Sequence, residues 1–409
     1  MKVKVKNIKF SCIFLLLIFL TCLDGLTSIH AVQFVLKHVD EFLILVFLFY
    51  IIQHGSFLIK EKKSFLFTWM VFLALGAISS VLCRYQDLYA VLVDCILIIN
   101  KFMVGYLAAY TYIILHKQKI SDCVYKTAKA ITILLFVLAV HDFILPPLFP
   151  KADFRYFTYS LQLMFPHATY LAATGSTLLI YFGYKHKKKS DYKYMYMASF
   201  LALATLRGKA VGFIMVYWLF YLCIYVFRAR HYFFTIISGG IAAALIGTNQ
   251  IEDYFFTKSY SPRLLLLRDS ITLAIQHFPF GTGYGTFGSA MASERYSILY
   301  TQLGYENYWG MGSKDGMFLT DDFWPIVIAQ FGVLGLVAFI FIVYYLVKRS
   351  LVILKVNKDA GFAMLLIMIN TLINSLAETA FFNPTALLFF VLFGICEAEA
   401  LLEKKTERI

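Results

Sequence analysis

The sequence predicts an all-α integral membrane protein with about 12 transmembrane helices and one long outer-face loop that contains short helices. Of its 409 residues, 60% are hydrophobic, 18% are aromatic and only 15% are charged, a composition typical of a chain that lies in a bilayer. Apolar runs long enough to cross a membrane recur along the chain. These runs predict N-terminal helices 1 to 9 in residues 1–248, an extracytoplasmic loop at residues 249–322, and helices 10 to 12 in residues 323–409.

The formal charge of +13 comes from short basic clusters between the apolar runs. Clusters at residues 2–9, 60–63, 116–119, 185–193 and 348–349 alternate with breaks that contain few Lys or Arg residues. Because cytoplasmic loops of membrane proteins are enriched in Lys and Arg, these clusters predict that both termini are cytoplasmic and that the long loop is outside. The charge therefore indicates topology, and no nucleic-acid partner is expected.

The predicted helices before the loop begin at residues 8–26, where a basic start and an apolar run resemble a secretory signal without a small-x-small cleavage site. The next predicted spans are Phe42–Ile59, Ser64–Cys83, Leu88–Leu115, Val124–Leu145 and Tyr159–Gly183. Residues 192–227 are basic at both flanks and too long for one crossing, so we divide them into two helices with an outer turn at residues 207–209. Residues 232–248 then return to the outside.

The three predicted C-terminal spans are residues 323–347, 360–376 and 385–402. Within the fourth predicted helix, Asp94 and Lys101 lie seven residues apart on one face. Transporters use intramembrane charges of this kind, but a structural ion pair between these two residues is the favoured interpretation.

The long loop opens with Ser261 as a helix cap and Pro262 at the first helical position, which predicts a helix over residues 263–277. Arg263 and Arg268 would lie about 140° apart around this helix, so only one of them easily faces a given ligand; we favour Arg268. No cysteine lies between residues 249 and 323, which excludes a disulfide framework or a Cys-based metal site in the loop, and we expect no metal and no cofactor.

Gly281, Gly283 and Gly285 follow this helix, and glycine lets backbone amides approach a phosphate closely. Tight turns that need a positive φ explain the same glycines equally well. Aromatic residues are frequent in the loop, and Tyr308, Trp309 and Trp324 are the candidates for stacking against sugar rings. For most of the loop aromatics we favour the alternative, a place in a membrane-interface belt or in a core.

These residues together resemble a known family. The order Arg268, His-Phe-Pro279-Phe-Gly-x-Gly-x-Gly-Thr-Phe287, a variable loop, a polar pair and a Gln-Phe-Gly-x-x-Gly335 helix start is similar to the bacterial O-antigen ligase and polymerase superfamily. The segment Phe318-Leu-Thr-Asp-Asp-Phe-Trp-Pro325 resembles its capsular and exopolysaccharide (Wzy-type) polymerases. The motifs cover about the last third of the chain; residues 205–209 resemble the basic outer turn of the family and residues 378–384 its C-terminal outer turn.

The resemblance implies a polymerase that joins polyprenyl-diphosphate-linked oligosaccharide repeat units by glycosyl transfer on the outer face of the cytoplasmic membrane. Cations would stabilise the leaving diphosphate, and the candidates are Arg207, Lys209, Arg268 and Arg263. A carboxylate would deprotonate the acceptor hydroxyl, and the candidates for this catalytic base are Asp321, Asp322 and Glu378. The implied partners are the lipid-linked glycan substrate and the lipid bilayer, with a chain-length regulator and a flippase as further candidates.

Two alternatives stay open at this point. Ligases of the superfamily carry a His where this chain has Asp321, so an O-antigen ligase is less well supported than a polymerase. A flippase or another transporter of lipid-linked oligosaccharides would also have about 12 helices, but it has little use for so long an outer loop.

Overall fold

The computed structural model describes residues 38–117, 122–149, 153–156, 158–185, 191–226 and 261–406. The predicted helices at residues 8–26 and 232–248, and residues 249–260 of the loop, lie outside these ranges. Helices make up 75% of the described chain, which has almost no sheet. Its one sheet is a hairpin in which β1 (Phe154–Arg155) pairs antiparallel with β2 (Thr158–Tyr159).

The length and composition of the helices agree with an all-α membrane protein. Among the described residues, five helices are long and apolar enough to cross a membrane, or six if a bent pair forms one span. The finer count of 12 crossings stays a prediction.

The helices before the long loop are α1 Val39–Gln53, α2 Gly55–Cys83, α3 Leu88–Val93, α4 Lys101–His116, α5 Asp122–Ile144, α6 Ala168–Lys185, α7 Tyr192–Leu203 and α8 Gly208–Tyr221. The helices from the loop onward are α9 Pro262–Gln276, α10 Ala290–Glu294, α11 Ile298–Gln302, α12 Trp324–Leu354, α13 Lys358–Asn374 and α14 Pro384–Thr406. A π-helical turn follows α3 at Asp94–Ile98, and another follows α8 at Leu222–Val226. The division of residues 192–227 into two helices agrees with α7 and α8.

The basic break predicted at residues 60–63 lies inside helix α2, which continues through it with a kink at Lys62. The side chain of Lys62 is buried, with Nζ 2.5 Å from a carboxylate oxygen of Glu397 and 2.8 Å from the hydroxyl of Tyr106. A buried, paired lysine does not have to reach water, which is why this basic cluster does not end the helix.

The predicted span Leu88–Leu115 is bent by 41° between residues 98 and 101. The predicted ion pair between Asp94 and Lys101 is wrong: Lys101 Nζ lies 2.6 Å from Asp40 Oδ2, and Asp94 accepts a hydrogen bond from the backbone of the long loop. The π-helical turn and the bend separate these two side chains, although a straight helix would place them on one face.

Helices α4 and α14 pack closely at the centre of the bundle. A Cβ atom added to Gly394 would lie 2.4 Å from the carbonyl oxygen of Tyr106, and one added to Gly105 would lie 3.0 Å from that of Leu387. Small residues at these positions let the two backbones approach each other, as is common where membrane helices associate.

The charged side chains of the bundle gather at two ends. At one end, Glu397 of α14 contacts Lys62 of α2 and Arg349 of α12. Asp322 lies at the other end of α12, roughly 40 Å from Arg349 at a helical rise of 1.5 Å per residue. Lys62 and Arg349 were both predicted to be cytoplasmic, and the structure places them at the same end.

Candidate functional site

Four helix N-termini converge at the end of the bundle that the sequence predicts to be outside. Helix α6 begins after His167, α8 after Arg207, α9 after Ser261 and α12 after Phe323. Contacts among the side chains at these N-termini, described below, join them into one cluster. Because the N-terminus of a helix carries a partial positive charge, this arrangement favours an anionic ligand.

Arg207 lies at the N-cap of α8, in the turn that was predicted between the two short crossings. The chain after the hairpin holds this turn: Ser160 Oγ donates to the carbonyl of Thr205 at 2.5 Å, and the amide of Leu161 donates to that of Ala204 at 3.1 Å. The Nη2 atom of Arg207 lies 3.4 Å from Asp153 Oδ2 and 3.4 Å from His167 Nε2.

Lys209 lies in the first turn of α8, where the helix dipole disfavours a cation. Its Nζ atom is 2.6 Å from Glu378 Oε2, and both side chains are largely buried. Glu378 follows α13 in the turn before α14, so this pair joins the turn at Arg207 to the C-terminal outer turn. A candidate cation, Lys209, and a candidate carboxylate, Glu378, are therefore in direct contact.

Arg263 occupies the first turn of α9, and its Nη2 atom lies 3.3 Å from Asp321 Oδ2. Burial raises the pKa of Asp321 above its ordinary value, and the charges of Arg263 and Lys209 oppose this effect. Both cations and Glu378 thus lie within electrostatic reach of Asp321. This brings the turn before α12 into the same cluster.

Asp322 is the carboxylate with the most strongly altered acidity in the cluster. Its side chain is 4% exposed, and burial raises its pKa to about 7 against the opposing effects of the backbone amide of Trp324 and the charge of Arg263. Within the described chain its Oδ1 atom has no hydrogen-bond partner. A carboxyl group with a pKa near neutrality is suited to accept a proton.

Arg268 does not join this cluster. Its side chain is 65% exposed and its Nε atom pairs with Asp269 Oδ1 at 2.8 Å, while the hydroxyl of Tyr305 donates to Asp269 Oδ2 at 3.0 Å. The geometry therefore places Arg263, and not Arg268, in the cluster, because the first turn of α9 directs Arg263 toward Asp321. Ser261 precedes α9 as predicted, but its side chain does not cap the helix.

The glycine segment 281–285 is a set of buried turns. Its amides donate inside the protein: Thr282 and Gly283 to the carbonyls of Ala329 and Gln330, Tyr284 to Ser80 Oγ, and Gly285 to Asp94 Oδ2, at 2.8 to 2.9 Å. These amides are not directed at a shared external ligand. Of the two interpretations of Gly281, Gly283 and Gly285, the structure favours tight turns over a diphosphate cradle.

The Gln330-Phe-Gly332 part of the family motif lies at a break inside a helix, and the span predicted at residues 323–347 lies within this helix almost from its start. Helix α12 begins at Trp324, and Gly332 interrupts it with a φ of 62°. A Cβ atom at Gly281 would lie 2.4 Å from the amide nitrogen of Gly332, so the two glycines are in backbone contact. The break in α12 makes room for the loop, which packs alongside it.

The loop has its own hydrophobic core, built mainly from Leu266, Leu273, Phe287, Leu299, Tyr300, Tyr305, Met311 and Leu319. The three proposed stacking residues differ in position. Trp324 packs against Phe323 and Phe339, as a core residue does. Tyr308 is partly exposed and Trp309 is 68% exposed, so these two keep surfaces on which a sugar ring could stack.

Sequence reasoning missed His167 and Asp153, which both contact Arg207. His167 was placed inside the predicted span Tyr159–Gly183, whereas α6 begins only at Ala168. Pro166 could have indicated this boundary, because proline is disfavoured in the interior of a helix. In the described ranges, no three His, Cys, Asp or Glu side chains are grouped so that they could hold a metal ion.

No family model matches this chain, and no curated protein matches it at a significant level.

Proposed function

We propose that the protein is a polysaccharide polymerase of the cytoplasmic membrane, which joins polyprenyl-diphosphate-linked oligosaccharide repeat units on the outer face by glycosyl transfer. Both termini lie in the cytoplasm in this proposal. The supporting observation is the cluster in which Arg207, Lys209 and Arg263 each lie at or next to a helix N-terminus, and in which the charge of Arg263 acts on a buried acid, Asp322, whose pKa is about 7. This combination suits a reaction that releases a diphosphate and deprotonates a hydroxyl.

In this reaction the anomeric carbon of the donor glycan is transferred from the diphosphate oxygen to a hydroxyl oxygen of the second lipid-linked repeat unit. Negative charge grows on the diphosphate as its bond to the sugar breaks, and positive groups held in place stabilise that charge. Arg207, Lys209 and Arg263 take this role. Arginine is well suited to it, because its planar guanidinium donates two parallel hydrogen bonds to phosphate oxygens.

Asp322 accepts the proton of the attacking hydroxyl. Asp321 and Glu378 instead orient cations, since Asp321 contacts Arg263 and Glu378 contacts Lys209. The lipid tails of both substrates would remain in the bilayer beside the bundle, and no nucleotide sugar takes part. Tyr308 and Trp309, which are exposed on the loop, are the candidates for stacking against the sugar rings of the glycan.

The transporter alternative is weakened by the contacts of Asp94 and Lys101, which belong to two separate structural links instead of a paired intramembrane charge site. Deleting the gene in its native host and profiling the lipid-linked glycans tests the proposal, with the wild-type gene on a plasmid as control. We expect single repeat units on the lipid at the outer face, and no polymer. Full-length polymer that stays attached to the lipid would indicate a ligase, and repeat units confined to the inner face would indicate a flippase.

A further inference from the structure

The reaction described above gives no role to His167, which contacts Arg207. Its ring lies at the N-terminus of α6, with Nε2 3.4 Å from Arg207 Nη2 and Nδ1 2.8 Å from Thr169 Oγ1. The same Nη2 atom of Arg207 lies 3.4 Å from Asp153 Oδ2. One nitrogen of the guanidinium therefore has two acceptors, which come from different segments of the chain.

Two contacts of the neutral His167 ring favour opposite tautomers. A guanidinium has only donors, so the contact with Arg207 requires Nε2 to present its lone pair, and the proton is then on Nδ1, which donates to Thr169 Oγ1. The weaker contact from the amide of Thr169, at 3.3 Å, would instead require Nδ1 to accept. A protonated imidazolium could not accept from Arg207 and would repel it. Partial burial lowers the pKa of His167, and the charges of Arg207, Lys209 and Arg155 lower it further against the opposing charge of Asp153, which favours the neutral ring.

We propose that neutral His167 is a positioning residue that, together with Asp153, fixes the plane of the Arg207 guanidinium so that it faces the diphosphate of the lipid-linked donor. This inference rests on the proposed function, because it takes the diphosphate as the ligand of Arg207. Fixing Nη2 at two acceptors fixes the whole planar group, since its nitrogens move together. Ordering this long side chain before the substrate arrives removes an entropic cost that binding would otherwise include.

A structural alternative is that His167 only caps α6: in the other tautomer, with the proton on Nε2, Nδ1 accepts from the amide of Thr169 at 3.3 Å. The two roles predict different consequences. A residue that acts through Arg207 has no effect once Arg207 is removed, whereas a helix cap acts whether or not Arg207 is present.

The test is the equilibrium binding of undecaprenyl diphosphate to the purified full-length protein in detergent, with undecaprenol, which lacks the diphosphate, as the uncharged control. We expect Arg207→Ala to weaken binding of the diphosphate about tenfold or more, as for the loss of a charge-assisted hydrogen bond. His167→Ala should weaken it about threefold to tenfold, and His167→Gln, whose amide oxygen can accept from Arg207, should stay within about twofold of wild type. Undecaprenol binding should not change in any variant.

The double variant decides the question. If His167→Ala has no further effect in the Arg207→Ala protein, the positioning role is supported. Independent losses that add in the double variant, or equal losses for His167→Gln and His167→Ala, would overturn it. A His167→Ala protein that binds as wild type does, while Arg207→Ala is impaired, overturns this inference alone. Unchanged binding in Arg207→Ala would instead refute the diphosphate role of Arg207 in the proposed function.

Discussion

The backbone amide of Gly285 donates a hydrogen bond to the carboxylate of Asp94, with N and Oδ2 2.8 Å apart. Asp94 is completely buried at the start of the π-helical turn after α3, and Gly285 belongs to the glycine segment of the long loop. The contact therefore joins the loop to a helix of the membrane bundle. It assigns Asp94 a structural role, although its partner is the loop backbone instead of Lys101 as the sequence predicts.

This link predicts different outcomes for two substitutions of Asp94. Asp94→Asn keeps an oxygen that can accept from Gly285 and should remain close to wild type in thermal stability. Asp94→Leu leaves the amide of Gly285 buried and unpaired, which should lower the free energy of unfolding by about 1 to 3 kcal/mol and make the loop more sensitive to proteases. Thermal unfolding in detergent measures this difference. Equal stability of the Asn and Leu variants would show that the hydrogen bond is unimportant.

The contact between Gly281 and Gly332 predicts that neither tolerates alanine. Both have a positive φ, and a Cβ atom at either would lie within 2.6 Å of the other's backbone. We expect Gly281→Ala and Gly332→Ala each to cost about 2 kcal/mol or more, from strain and from displacement of the loop.

Gly212→Ala is the matched control, because a Cβ atom there has nothing within 4 Å. In helix α8 this change should be neutral or should stabilise by about 0.5 to 1 kcal/mol. If Gly332→Ala is as stable as Gly212→Ala, the close backbone contact between Gly281 and Gly332 is not required for folding.

At the opposite end of the bundle, Glu397 is buried and pairs with both Lys62 and Arg349. We expect these ion pairs to contribute to the stability of the protein. Glu397→Gln leaves two cations near an uncharged group, and we expect a loss of about 3 to 5 kcal/mol in stability. Lys62→Met in the same protein should restore part of this loss, since it removes the more deeply buried cation. Glu61→Gln, at an exposed position of the same helix as Lys62, is the control. Equal thermal unfolding of Glu397→Gln and Glu61→Gln would contradict a stabilising role of Glu397.

Parts of this arrangement could be predicted from sequence because they depend on local signals. The turn with Arg207 and Lys209 follows from basic flanks and helix length, and the start of α9 follows from Pro262. The pairing of Asp94 and Lys101 was wrong because a π-helical turn, which periodicity does not reveal, separates them. Likewise, the five-residue spacing of Arg263 and Arg268 predicts that their side chains point in different directions from α9. Only the packing of α9 against α12 determines which of the two contacts Asp321.

The contrast between the two arginines of α9 gives a prediction for the reaction. Arg263→Ala should abolish or strongly reduce polymer in cells at normal protein levels, and Arg263→Lys should restore it poorly because lysine lacks the bidentate geometry. Arg268→Ala should leave polymer largely unchanged, since Arg268 contacts Asp269 at the exposed surface of the loop. Gel analysis of the polymer in both variants compares them, and loss of polymer in Arg268→Ala alone would reverse the assignment.

The proposed role of Asp322 as the proton acceptor predicts how the reaction depends on pH. A carboxyl group accepts a proton only when ionised, so a pKa of about 7 predicts that activity is low in acid and rises to a plateau above neutrality. At pH 6, about a tenth of the group is ionised, and at pH 8 about nine tenths. Asp322→Asn keeps the shape of the side chain and its contact with the amide of Trp324, but the amide group accepts no proton.

The most direct measurement is the rate of polymerisation by purified protein in vesicles with lipid-linked repeat units, from pH 5 to pH 9, for wild type, Asp321→Asn and Asp322→Asn. We predict a wild-type kcat/KM that rises with pH through a midpoint of about 7. Asp321→Asn should keep measurable activity and this pH dependence, while Asp322→Asn should lose about a hundredfold or more at pH 8 without losing stability. Wild-type rates in Asp322→Asn at pH 8 would contradict the account.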